Sequence, residues 1–227
     1  MDFRSYASSS RGNCYEIRST GGTRLLLEAG LPIAELRRRT GFGLSAMDAV
    51  LITHEHGDHA RAASDLLRAA VPVWCSAGTA LALGLSGCRV LHEIDQVRVG
   101  DVSVLPFATQ HDAAEPLGFL LSDGIDKLLF ATDTGYLRWR FSGLTMIAIE
   151  CNFALDLLPA DLAPSRRRRL DETHMSLTAV RALLAANDLR AVREIRLLHL
   201  SASHSDADRF RREIEGQTGL PVTVEEE

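Results

Sequence analysis

No stretch of this 227-residue chain approaches the ~20 consecutive apolar residues of a membrane span, and none of its four cysteines belongs to a CxxC pair. The first absence excludes a helical membrane protein. The second excludes a zinc ribbon; scattered thiols (Cys14, Cys75, Cys88 and Cys151) are expected as small buried hydrophobes, not as a disulfide frame. The opening MDFRSYASSSRGN lacks an apolar segment, so no secretory signal is expected, and the cytoplasm is the expected compartment. No repeat and no low-complexity linker divides the chain. Lysine is nearly missing: Lys127 is the only one among 25 cationic residues, the rest being Arg, whose planar fork suits phosphate oxygens. A net charge of −5 excludes a coat of positive charge for non-specific nucleic-acid binding, though not a local basic rim. With 46% apolar residues the chain has material for its own core, and one domain over residues 1–227 is expected.

Periodicity and turn residues predict strands over 3–7, 14–17, 24–27, 49–53 and 71–75, with the continuous run AVLIT reading as a strand buried on both faces. Helices are expected from Pro32 to Arg39 (closed by Gly41), over 60–70 and over 79–85. A strand pair turning at Gly100-Asp101 is expected over 97–107, then strands over 118–121, 128–131, 146–149 and 195–198. Ser176 reads as the N-cap of an amphipathic helix to Ala186. The spacing from Ser205 to Asp208 reads as a capping box opening a helix to Glu215. Strands first, then strands alternating with helices through both halves, fit an α/β (α+β) chain of two face-to-face sheets with helices outside; a single doubly wound sheet is the alternative.

The segment from Leu51 reads LITHEHGDHA. His54, His56, Asp58 and His59 fall within six residues directly after the buried strand. His54 and His56, two apart, can point the same way, and the tight turn at Gly57 turns Asp58 and His59 toward the same space from another side. Imidazole nitrogens with one carboxylate are the donor set zinc prefers and manganese or iron accepts.

HxHxDH after a hydrophobic strand resembles the metallo-β-lactamase fold hydrolases, built as a four-layer αββα sandwich. Further segments are similar to their YycJ/WalJ-like branch: SYASSSRGNCYEI, TQHDAAEPLGFLL, ATDTG, IECNFALDLL, ETHMS and LLHLS. The last two occur with similar spacing in the related RNase Z branch. The resemblance implies two divalent metal ions, Zn2+ or Mn2+. His54, His56 and His111 would hold one; Asp58, His59 and His199 would hold the other; Asp133 would bridge them. It also implies a place beside the metals for His174, read as a general acid or phosphate clamp with a capping-loop role as the alternative, and Asp58 as the group orienting the attacking hydroxide; Glu150 or Asp112 would orient His174 or a ligand histidine. Phe153 departs from the pattern, standing where the branch places a histidine. His92 and His204 match no ligand position and are expected at the surface.

SRRRRLDE, immediately before His174, reads either as a solvated face or as a grip for a nucleic-acid backbone through Arg166, Arg167, Arg168 and Arg169. The expected function is therefore a binuclear metal-dependent phosphodiesterase, a nuclease of exonuclease type acting on DNA or RNA. Hydrolysis of a small ester, thioester or cyclic phosphodiester is the alternative, and a metal-binding scaffold without turnover is a third reading.

Overall fold

The turn residues between them separate β1 (Asp2–Ser9) from β2 (Gly12–Arg18), whose first six residues are all buried. In the computed structural model, which describes residues 1–225, the chain forms two compact units. Of the described residues, one unit is built from Met1–Ala108 with Ala113–Ile125, the other from Thr109–Asp112 with residues 126–225.

In the first unit β1, β2, β3 (Arg24–Leu27), β4 (Ala49–Leu51), β5 (Val73–Ser76) and β6 (Arg89–Leu91) form a six-stranded sheet in chain order. The β1–β2 and β2–β3 pairs are antiparallel; β3 through β6 run parallel. Helical connections make the parallel pairing possible: α1 (Ile33–Arg39), the one-turn α2 (Gly57–Ala60), α3 (Ala63–Arg68) and α4 (Ala77–Ala82). Leu26, Val50, Ile52, Val73 and Cys75 pack there with Leu36 and Leu66 from the helices. β7 (Val97–Val99), β8 (Val102–Ala108) and β9 (Leu117–Ser122) pair antiparallel, with Gly100 at φ +55° in the tight turn between β7 and β8.

The second unit carries β10 (Lys127–Ala131), β11 (Met146–Glu150), β12 (Glu194–Leu198) and β13 (Val222–Val224), neighbours in that order and all parallel. Its helices are α5 (Pro164–Thr173), α6 (Leu177–Ala186) and α7 (Ala207–Thr218). Val180 and Leu184 of α6 and Phe210 and Ile214 of α7 are buried, as are Leu128, Phe130, Ile147, Ile149, Ile195 and Leu197 of the strands.

The sequence reading places most strands within a residue or two. The helix expected over 60–70 is instead two helices, and α4 starts two residues early because Ser76 caps it, accepting the Thr79 N–H at 3.1 Å. Ser205 is not the cap of α7. Its hydroxyl donates back to the Ser201 carbonyl at 2.6 Å, and Asp206 caps the helix through the Arg209 N–H at 2.9 Å. Cys14, Cys75 and Cys151 are buried as expected; Cys88 is half-buried. Among the described residues no helix is long and apolar enough to cross a membrane.

Candidate functional site

The first unit gathers its ligand-type side chains at the end of β4. That strand and the following Ile52, Thr53 and His54 are buried, so the chain leaves the core directly into the histidine turn. The His59 and Ala60 amides both donate to the His56 carbonyl at 2.9 Å, closing α2 five residues beyond the strand. His54 Nδ1 lies 2.9 Å from Thr53 Oγ1, and its Nε2 lies 3.1 Å from His56 Nδ1, the two rings edge-on at 4.6 Å. The His54 and His59 rings are 4.2 Å apart, and His59 Nε2 is 3.4 Å from Asp58 Oδ2. Ring nitrogens of adjacent histidines facing each other across so short a gap suit a shared cation better than a histidine–histidine hydrogen bond.

Behind the turn stands Glu28, fully buried at the end of β3 with φ +66°. Its Oε2 accepts the Thr53 N–H at 3.3 Å; its Oε1, 3.7 Å from His59 Nδ1, makes no hydrogen bond. Burial pushes this carboxyl above the usual carboxylate range, against the pull of the His59 ring. The next two residues fix the turn by backbone contact. Ala29 N–H donates to the His59 carbonyl at 2.7 Å, and a Cβ on Gly30 would sit 1.7 Å from the Asp58 carbonyl oxygen, so only glycine fits there. Asn13 Nδ2 reaches the same carbonyl at 3.2 Å.

The second unit uses three neighbouring parallel strands, each ending in a ligand-type residue: Asp133 two residues after β10, Glu150 at the end of β11 and His199 just after β12. Carboxyl ends of parallel strands are where open α/β sheets bind ligands. Asp133 (φ +48°) and His199 (φ +52°) both hold left-handed backbone, a conformation costing about 1–3 kcal/mol that non-glycine residues keep mainly where the surroundings impose it. His199 Nδ1 is 3.0 Å from Asp133 Oδ1 and 3.2 Å from Glu150 Oε1. His174, the residue between α5 and the Ser176 cap of α6, sets Nδ1 2.5 Å from Glu150 Oε1. One donor atom from each of Asp133, Glu150, His174 and His199 falls within 4.8 Å of the others. His111 Nδ1 donates to the Thr173 carbonyl at 2.8 Å. That leaves Nε2, 3.5 Å from Asp133 Oδ2, as the atom with a lone pair for a metal.

Charge follows this geometry. Burial opposes ionisation of Glu150, yet its attraction to His174 holds it below the usual carboxylate range. Burial also opposes the charged form of His174, and the Glu150 carboxylate outweighs it, so this imidazole is protonated more readily than a free one. His111 is shifted the other way, chiefly by burial, which favours the neutral imidazole that metal ligation requires.

The arginine run lies on α5, a helix the sequence reading left as a charged stretch. Arg166, Arg167 and Arg168 are exposed; Arg169 is engaged, with Nε and Nη2 each 2.9 Å from Asp112 Oδ2. His92 is exposed as expected, whereas His204 is half-buried. Phe153 is fully buried, bridging Ser176. Sequence reasoning missed Glu28, Thr53 and Asn13. Only the position of Glu28, a lone acid closing the apolar run LLLE, carried a signal.

These donors are imidazoles and carboxylates, hard-to-borderline ligands that fit divalent cations. A β-lactamase superfamily domain matches residues 23–200. Exodeoxyribonuclease YycJ of Bacillus anthracis is 28% identical over 223 residues, covering 90% of this chain and 84% of that protein. Exodeoxyribonuclease WalJ of Streptococcus pneumoniae is 30% identical over 173 residues, or 67% of this chain and 62% of that protein. The crystal structure of the metallo-β-lactamase fold protein YhfI from Bacillus subtilis matches with a TM-score of 0.74 at 16% identity, covering 99% of this chain and 95% of that one. With most of its length inside the family match, and the fold shared end to end with YhfI, the chain belongs to the β-lactamase superfamily and has the metallo-β-lactamase fold.

Proposed function

We propose that residues 1–227 act as one cytoplasmic metal-dependent phosphodiesterase, an exonuclease on DNA or RNA. The observation that carries this reading is His174. A readily protonated imidazole stands on Glu150 beside Asp133 and His199, next to the N-terminus of α6, where an anion is favoured. The names of the relatives YycJ and WalJ agree with it.

Two cations, Zn2+ or Mn2+, would be held by His54, His56 and His111, and by Asp58, His59 and His199, with Asp133 between them. When bound they supply a water acidified toward neutral pH and positive charge against the developing anion. The remaining work belongs to the chain. Asp58 orients the attacking water. Glu150 holds His174 by Nδ1, so Nε2 carries the proton delivered to the departing oxygen. Arg166, Arg167 and Arg168 hold the strand backbone, while Arg169 is tied to Asp112.

The test offers single-stranded DNA, RNA, bis-p-nitrophenyl phosphate and a thioester to protein loaded with zinc or manganese. Shortening of a labelled strand from one end, abolished in His56→Ala, is the expected result. Turnover of the thioester with neither strand nor diester touched overturns the reading in favour of small-molecule hydrolysis.

A further inference from the structure

Helix α6 has two apolar faces. Leu177, Val180 and Leu184 form the buried one. Ala179, Ala182, Leu183 and Ala186 form a second, partly exposed face that a surface helix would ordinarily make polar. Alongside it runs the segment Tyr136 to Phe141, held by Asn187, whose Oδ1 accepts the Phe141 N–H at 2.7 Å. Between the two lies a groove of about 290 Å³, walled by Tyr136 and Trp139 with Met175 at one end and Asn187 at the other.

Three features of this groove face what could enter it. Tyr136 is 62% exposed, an aromatic ring offered to solvent. The Trp139 indole nitrogen is buried and makes no hydrogen bond, a cost of about 1–3 kcal/mol that an incoming acceptor would remove. Arg138 lies over the Trp139 ring, 4.4 Å from its centroid, and Arg140 is exposed beside it. The groove also adjoins the chemistry. Tyr136 is the third residue after Asp133; Met175 follows His174 and donates its N–H to Glu150 Oε2 at 3.1 Å.

A floor of small side chains between aromatic walls suits a flat ring. The unpaired indole N–H asks for a ring acceptor, which an aliphatic chain lacks, and the flanking arginines ask for phosphate. We propose that this groove is a nucleobase subsite: a base of a single-stranded nucleic-acid substrate stacks on Tyr136, accepts from the Trp139 N–H, and is flanked by phosphates on Arg138 and Arg140. The inference rests on the nuclease reading above and adds the residues that read the strand.

The test uses metal-loaded protein and a single-stranded oligodeoxynucleotide. Tyr136→Ala raises KM about fivefold or more with kcat within about twofold, Tyr136→Phe restores it, and Trp139→Phe, which keeps an aromatic ring but loses the indole donor, raises KM. A strand with abasic terminal sugars shows no difference between parent and Tyr136→Ala. In a Trp74→Phe background Trp139 is the only indole, and a hydrolysis-resistant phosphorothioate strand quenches its fluorescence. If the parent degrades the strand but Tyr136→Ala and Trp139→Phe leave KM unchanged, the subsite is overturned and the nuclease reading stands. If no strand is degraded, the nuclease reading falls, and Trp139 quenching by the phosphorothioate strand decides the subsite: present, it survives; absent, it does not.

Discussion

One buried oxygen, on Glu28, is placed to decide whether His59 serves as the ligand we propose. His59 can present Nε2 to a cation only if its Nδ1 carries the proton, and the carboxylate Oε1 at 3.7 Å from Nδ1 is the acceptor that favours this tautomer. Glu28→Gln keeps the volume and replaces the carboxylate with an amide that can turn its own N–H toward the ring. We expect metal affinity, measured by competition with a chromophoric chelator, to fall about 10- to 100-fold, with the apoprotein no less stable because a buried charge has gone. Unchanged affinity would show that Glu28 does not orient His59. This residue was nearly invisible in the sequence, where an acid after three leucines reads as the solvent-facing end of a strand. By contrast HxHxDH was legible because four ligand-type residues crowd into six positions after an unbroken apolar run. The later candidates His111, Asp133 and His199 are single residues whose local sequence gives no chemistry. They came from resemblance, and the left-handed backbone at the last two could not be read from ATDTG or LLHLS.

Between elements, two arrangements lead to different measurements. Tyr6 on β1 and Arg24 on β3 both reach Glu16 on β2, at 2.6 and 2.8 Å. Burial opposes the Glu16 charge but these partners lower its pKa, while burial and the same carboxylate push Tyr6 up to about 12. A carboxyl lowered in the folded state contributes stability present above its unfolded value, about 4.3, and lost as pH falls through the folded one. Glu16→Gln is therefore expected to unfold at lower urea concentration at pH 7, with the gap to the parent closing below about pH 4. A gap that stays constant with pH would mean the triad acts by packing alone. On α5 the arginines argue through salt. Each phosphate contact on a single strand contributes about −0.7 to the slope of log affinity against log salt, so Arg166, Arg167 and Arg168 changed together to Ala should flatten that slope by up to about 2. An unaltered slope would return the run to a solvated face. That α5 is helical was hidden because its only buried residue is Thr173, leaving no apolar stripe to read. Helix α6, with Ser176 at its start and a buried face spaced at three and four, was plain.

At the scale of the whole molecule, carboxylates and strained backbone are sunk where a cation could act on stability. Glu28 and Glu150 are fully buried and Asp133 is 3% exposed, in a protein already at net −5. Buried carboxylates cost several kcal/mol each unless paired, and Asp133 and His199 add backbone strain. A ligand that binds only the folded state stabilises it by mass action, about 2.7 kcal/mol at a concentration 100 times Kd, which for a chain of this size raises Tm by about 5–10 °C. Zinc or manganese added to chelator-treated protein should therefore raise Tm by that amount for each site filled, whereas calcium, which prefers all-oxygen ligands, should do much less. The scales then meet in one experiment. Glu28→Gln, expected to weaken binding 10- to 100-fold, should lose about 1.4–2.7 kcal/mol of the metal-dependent stabilisation at a fixed metal concentration, while its Tm in chelator matches or exceeds the parent's. A parent Tm that neither zinc nor manganese moves would mean that these histidines and carboxylates hold no cation, and the hydrolase reading would go with them.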